Sequence, residues 1–275
     1  MQLTKNDFIK AIKTTGLSGK CVCVHSSIKS FMMNIKGGVQ TIIQAFIDCG
    51  CTLMVPTFSF YAFTIKPPEN MMPKHNGVDY NKLEFLNLCS QKLFTPESKE
   101  IDKDKMGLLS YAVVNTDVRI RGEHPLCSFS AIGQFAKDLI KGQKNMDVFA
   151  PLRELALFDG FVILMGVNLN RMTLLHLSEQ MAGRKMFLRW ANNINGQPVY
   201  AETGGCSEGF INFEPYLSLF EKQIYVGKSK WKIYNVSKVL KQAAKVIMSI
   251  PEITRCADKS CLRCEDAIKG GPVVS

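Results

Sequence analysis

Three nearly unbroken apolar runs stand out along the chain: Cys21-Val22-Cys23-Val24, Thr52-Leu53-Met54-Val55 and Phe161-Val162-Ile163-Leu164-Met165-Gly166-Val167. A strand solvated on one face alternates apolar with polar positions, so runs without alternation predict strands covered on both faces, the habit of parallel sheets. Between the first two runs Val39, Ile42, Ile43, Phe46 and Ile47 recur at helical spacing, predicting a helix entered through Gly37-Gly38. Strand, helix and strand at this spacing predict a right-handed crossover and a mostly parallel central sheet. The third run leads through Asn168–Arg171 into a helix expected over Thr173–Met181 with Thr173 as its N-cap. A further helix is expected over Val236–Met248.

The intervening stretches read differently. From Ser59 to about Lys105 the chain is punctuated by Pro67-Pro68, Pro73, Asn76-Gly77 and Pro96, which predicts a long excursion, either a lid, binding loop or disordered insertion or a variable surface insertion. Beyond Arg184, Asn195-Gly196 is a hairpin turn signal, and alternation around Ile224–Tyr234 predicts a small antiparallel C-terminal element.

Composition narrows the class. With 46% hydrophobic and 21% charged residues in a chain of 275, a sizeable core is expected and a disordered chain is excluded. No run approaches the roughly 18 apolar residues of a membrane helix. Lys5, Asp7 and Lys10 stand where an apolar signal core would lie, so the expected location is cytoplasmic. The ten cysteines are then expected as reduced thiols. A formal charge of +10 favours anionic ligands, with nucleic acid and phosphorylated cofactors both open.

Four constellations carry candidate chemistry. His25-Ser26-Ser27-Ile28-Lys29-Ser30 follows the first strand, where hydroxyls and a lysine suit a phosphate; the plain alternative is turn chemistry. His176 and Glu179 share one face of a helix, so a carboxylate can orient the imidazole and leave its other nitrogen as a base; such pairs also occur as structural contacts. Gly204-Gly205-Cys206-Ser207-Glu208-Gly209-Phe210 is a flexible turn bearing a thiol and a carboxylate. Cys256, Cys261 and Cys264 offer three ligands of a tetrahedral zinc, with Cys206, Cys127 or a histidine as the fourth, or else are reduced structural thiols. The chain lacks a P-loop, a dinucleotide glycine fingerprint, HExxH and GxSxG.

In order and spacing, the segments Val24–Ser30, Gly37-Gly38, Leu53–Phe58, Met106-Gly107-Leu108-Leu109-Ser110, His124-Pro125 with Ser128-Phe129-Ser130-Ala131, and Thr173–Glu179 resemble the aminoglycoside 3-N-acetyltransferase family, from about residue 20 to 270. The resemblance implies an α/β/α layered fold, distinct from the GNAT acetyltransferases, forming one acetyltransferase domain over 1–275 with the excursion at about 59–105 and a cysteine-containing tail at about 251–275. It implies acetyl-CoA as co-substrate and a small amine as acceptor, with neither nucleic acid, membrane nor metal required, and leaves open whether the protein is a homodimer. Ser26, Ser27, Lys29 and Ser30 would hold the CoA phosphates. Met106, Gly107 and Ser110, with Ser128, Phe129 and Ser130, would line the pantetheine channel. His176 would be the general base, oriented by Glu179 or Glu208.

An amine must lose its proton before attacking a thioester, and a base near neutrality does this best. Direct transfer is therefore the expected route, with an acyl-cysteine at Cys206 or Cys127 as the alternative. An aminoglycoside is a polycation, so a protein at +10 needs a local acidic cleft to attract one; Glu69, Asp79 and Glu84 are the excursion's candidates. Another small amine of natural-product metabolism is the alternative acceptor. A basic zinc-containing nucleic-acid binder is the alternative of another class.

Overall fold

The computed structural model describes residues 2–82 and 92–274. Its strands are β1 (Gln2–Leu3), β2 (Cys21–Ser26), β3 (Asn34–Ile35), β4 (Thr52–Pro56), β5 (Ile120–Arg121), β6 (Phe129–Ile132), β7 (Phe161–Met165), β8 (Phe187–Asn192), β9 (Pro198–Thr203), β10 (Glu221–Val226) and β11 (Ser229–Asn235). Its helices are α1 (Lys5–Thr14), α2 (Val39–Asp48), α3 (Phe60–Phe63), α4 (Lys103–Val114), α5 (Ala136–Ile140), α6 (Ala150–Leu157), α7 (Leu174–Met181), α8 (Glu214–Leu217), α9 (Val236–Ser249) and α10 (Leu262–Ile268).

The three apolar runs become β2, β4 and β7, neighbours at the centre of a seven-stranded sheet of order β10-β11-β7-β2-β4-β6-β5. β2 is parallel to both β4 and β7, as the crossover pattern requires. β6 and β11 run against these three, and the outermost strands β5 and β10 return to the common direction.

Both faces of these strands are dry, which is why their sequences do not alternate. Cys21 and Cys23 of β2, Met54 of β4, and Val162 and Leu164 of β7 pack with α5, α6, α7 and α9. Val22 and Val24, Leu53 and Val55, and Ile163 and Met165 point to the opposite face, against α1, α2 and α4. Two cores separated by one sheet make the layered α/β/α architecture.

The expected antiparallel elements are present: Ile224–Tyr234 lies in the hairpin β10–β11, whose second strand also pairs with β7 and extends the main sheet. Its buried Trp231 explains this, because the indole packs between Phe8 and Phe46, with ring centroids 6.3 Å from each. The separate two-stranded sheet is β8–β9, turned at Asn193–Gln197 with Gly196 at φ 74°. Thr173 is not an N-cap by side chain: it has helical φ −55° and ψ −25°, and its carbonyl accepts the His176 amide at 3.0 Å.

The described residues of the excursion pack against β8–β9. Asp102 accepts the amides of Phe60 and Tyr61 at 3.0 and 3.1 Å, joining its two ends. Asn76, 1% exposed, exchanges two 2.8 Å hydrogen bonds with the backbone of Leu188 and so acts as a surrogate strand residue. The Trp190 indole donates to the Met71 carbonyl at 2.7 Å. Glu84 lies outside the described residues. Glu69 and Asp79 lie within them, and Asp79 pairs with Lys82 at 3.9 Å.

Candidate active site

Sheet topology marks a candidate position before any side chain is considered. From β2 the chain crosses to β4 on one side, while β7 lies on the other, so the carboxyl ends of β2 and β7 flank a switch point. Adjacent crossovers leave that edge in opposite directions, and the gap between them is where ligands of open α/β sheets bind.

The end of β2 supplies unengaged polar groups. The side chains of Ser26 and Ser27, half-buried, and of Lys29, exposed, make no hydrogen bond to the described residues. Ser30 is committed: its hydroxyl donates to the Ser27 carbonyl at 2.6 Å and lies 2.7 Å from the Ser229 hydroxyl. Over this strand end rides α4, broken at Gly107, whose φ of 80° and ψ of 178° interrupt the helix. A Cβ there would sit 3.5 Å from the Ser26 carbonyl, so the conformation, rather than the space, calls for glycine. Met106 and Gly107 are half-exposed beside the β2 end.

Four of the expected channel residues lie in the interior. Ser110, Ser128, Phe129 and Ser130 are each buried, at 3% exposure or less. Ser128 and Ser130 hydroxyls lie 3.3 and 3.0 Å from that of Thr57, and Arg121 donates to Ser128 at 2.9 Å. Ser128, just before β6, and Ser130 within it face the interior, where hydroxyls satisfy one another. Arg121 also reaches the carbonyls of Thr57 and Glu100, at 2.8 and 3.1 Å, pinning the excursion to the sheet.

The nearby histidines have distinct situations. His25 is buried on β2, and desolvation pushes its pKa down to about 4. His124 accepts the amides of Leu126 and Cys127 at Nδ1, at 3.1 and 2.8 Å, and donates from Nε2 to the Glu202 carbonyl at 2.8 Å. Burial pushes it too down to about 4, so it is a neutral turn lock.

His176 differs because its partner is a carboxylate. Nδ1 lies 2.7 Å from Glu179 Oε2, one helical turn away on α7. Arg184 donates to the other carboxylate oxygen at 2.7 Å. The guanidinium is itself held by Thr254 Oγ1 at 2.7 Å and the Pro251 carbonyl at 2.6 Å. With an ionised acceptor at Nδ1, that nitrogen carries the proton and Nε2 keeps a lone pair. Nε2 has no hydrogen-bond partner among the described residues.

His176 is 7% exposed, its ring stacked over Phe149 at 6.2 Å and met edge-on by Phe210 at 4.7 Å. Its Cδ2–Nε2 edge lies against Gly204, where a Cβ would come within 2.4 Å of Cδ2 and 2.7 Å of Nε2. Glycine is therefore a steric requirement of this wall. Glu208, the other orienting candidate, is exposed and accepts from Asn170 at 2.9 Å instead. Arg184 carried no sequence signal, because it lies five positions after Glu179 and reaches back only where the chain reverses at Gly183, φ 92°.

Neither cysteine of the alternative route is placed as a free nucleophile. Cys127 is 3% exposed, and burial pushes its thiol well above the usual range. The Cys206 sulfur lies with those of Cys256, Cys261 and Cys264, all within 4.8 Å of one another.

The α/β/α sheet is thus accompanied by an imidazole whose Nδ1 is held by a carboxylate and whose Nε2 is uncommitted. The chain belongs to the aminoglycoside 3-N-acetyltransferase family, whose pattern it matches over residues 23–256. It is 30% identical over 199 residues to aminoglycoside N(3)-acetyltransferase IX of Micromonospora chalcea, an alignment spanning 68% of this chain and 66% of that relative. Crystalline aminoglycoside acetyltransferase AAC(3)-IVa shares its fold, with a TM-score of 0.76 at 22% identity over 98% of each chain. A structure of AAC-IIIb described as binary with CoASH has a TM-score of 0.72 at 17% identity, covering 90% of this chain and 97% of that one. No helix among the described residues is long and apolar enough to cross a membrane.

Proposed function

We propose that the chain is an acetyl-CoA-dependent N-acetyltransferase acting on an amino group of an aminoglycoside or related amino sugar, by direct transfer with His176 as general base. The observation carrying this reading is the Arg184–Glu179–His176 relay, which commits Nδ1 and leaves Nε2 as the basic nitrogen. Acetyl-CoA supplies an acyl group on a thioester, with a leaving thiol whose pKa is about 8.5. Ser26, Ser27 and Lys29 fit its phosphates, being polar, unengaged and grouped at a strand end beside the Met106–Gly107 break. Nε2 accepts the proton that an ammonium acceptor must lose, and Glu179 steadies the imidazolium that results. Arg184 holds the carboxylate in place, so the ring need not reorient as charge moves onto it. Cys127, buried with its thiol raised, supports direct transfer over an acyl-cysteine.

A less cationic amine is the second reading for the acceptor, favoured by the charge of +10, which repels a polycation. Thiol release from acetyl-CoA, followed over a panel of aminoglycosides, amino sugars and simple amines, separates the two. His176→Ala is expected to slow transfer by roughly two to four orders of magnitude while CoA still binds. A variant that transfers at the parental rate removes His176 from the mechanism.

A further inference from the structure

We propose that Cys206, Cys256, Cys261 and Cys264 form a structural zinc site that braces the candidate base from behind. Their four sulfurs lie within 4.8 Å of one another. A tetrahedral zinc with Zn–S bonds of about 2.3 Å needs sulfurs about 3.8 Å apart, so small rotamer adjustments close the cage. Four protein ligands leave no open position, which makes the site structural rather than catalytic. Loading replaces four S–H bonds by four Zn–S bonds, releases four protons to solvent and leaves the centre with a net charge of −2.

The fourth ligand comes from far away in sequence, and the fold has already brought it there. Gly209 packs its Cα against the backbone of Thr254 and Arg255, where a Cβ would meet the Thr254 carbonyl at 2.2 Å. Asn212 donates to the carbonyls of Ile253 and Arg255 at 3.0 and 3.2 Å. The Cys256 amide points at Cys264 Sγ from 3.4 Å, a contact that strengthens once the sulfur is an anion. Cys264 is 2% exposed, so one ligand is sheltered from solvent.

The placement gives the metal a consequence for the imidazole. Cys206 lies two residues beyond Gly204, the wall against Nε2, and Cys256 lies two beyond Thr254, which holds Arg184. One ion thereby ties together both segments that position His176: the glycine wall and the anchor of the Glu179 partner.

The test uses the full chain purified reduced, in zinc-containing buffer, then desalted and analysed for metals. One zinc per chain is expected, released by a mercurial together with reactivity of the four thiols. Cys261→Ser is expected to lose the metal and to lower the thermal midpoint by on the order of 10 °C. Cys261→His, which restores a ligand, is expected to keep the metal. Hydrogen exchange at residues 204–206 and 254–256 should rise together when zinc is removed. A reduced chain that neither holds nor takes up zinc, one that holds iron in its place, or a native mass showing disulfides among these cysteines overturns the proposal. None of these readings depends on acetyl transfer, so they stand apart from the catalytic reading.

Discussion

Replacing Glu179 by Gln keeps the volume of the side chain and removes one charge, at a position that is 4% exposed. The carboxylate accepts from His176 Nδ1 and from Arg184, both at 2.7 Å. An amide has one oxygen and one NH2, so it can satisfy one of these donors and must face the other with a donor. Arg184 cannot give up its proton, and its remaining contacts are the neutral acceptors Thr254 and Pro251. The amide oxygen therefore turns to Arg184, its NH2 turns to the ring, and Nδ1 becomes the acceptor. That tautomer carries its proton on Nε2, where no acceptor amine can deliver another. The expected loss in kcat/KM is about two to four orders of magnitude, with KM for acetyl-CoA unchanged. Weakening the charged hydrogen bonds should also cost roughly 2–3 kcal/mol of stability in urea unfolding. Glu208→Gln is the control, since Glu208 is exposed and bound to Asn170, and it should change the rate less than about threefold. Thiol release with the best acceptor from the panel measures both variants. A Glu179→Gln enzyme at parental kcat/KM, with Glu208→Gln impaired, would refute the assignment of Glu179 as the orienting carboxylate.

Three further outcomes follow from the same geometry. Gly204→Ala puts a methyl within 2.4 Å of the His176 ring and should cut kcat by more than about tenfold while costing about 1–3 kcal/mol; unchanged kinetics would mean the wall yields freely. Lys29→Ala should raise KM for acetyl-CoA about tenfold at nearly constant kcat, and an unchanged KM would remove Lys29 from phosphate binding. His25 and His124 have folded pKa values pushed down to about 4, below the ordinary 6.5. Their neutral burial is fully tolerated above pH 6.5; as pH falls from there toward 4 the unfolded chain takes up protons first, so stability declines by about 3 kcal/mol for each group. Urea unfolding at pH 7.5 and pH 5 checks this, and equal midpoints would contradict it.

The central architecture was readable in the chain because it rests on local pattern. Strands dry on both faces need unbroken apolar runs, and a helix with one buried face needs the spacing of Val39–Ile47, so β2, α2, β4 and β7 follow from composition in short windows. The pairing of His176 with Glu179 was legible for the same reason, since residues three apart on a helix meet whatever surrounds them. What short windows cannot carry is which distant segments meet. Ser128 and Ser130 look like ligand groups in isolation, and only their place at the start of β6, beside Thr57, makes them interior hydroxyls. The alternation of β10–β11 marks a hairpin but not that Trp231 would dock between Phe8 and Phe46 and merge it with the main sheet. Arg184 behind Glu179, Gly204 against the imidazole and Cys206 beside the three tail thiols are likewise meetings across many residues. Chain closure over such separations is decided by the packing of whole layers, and it is there that the His176 ring acquired its orientation and its wall.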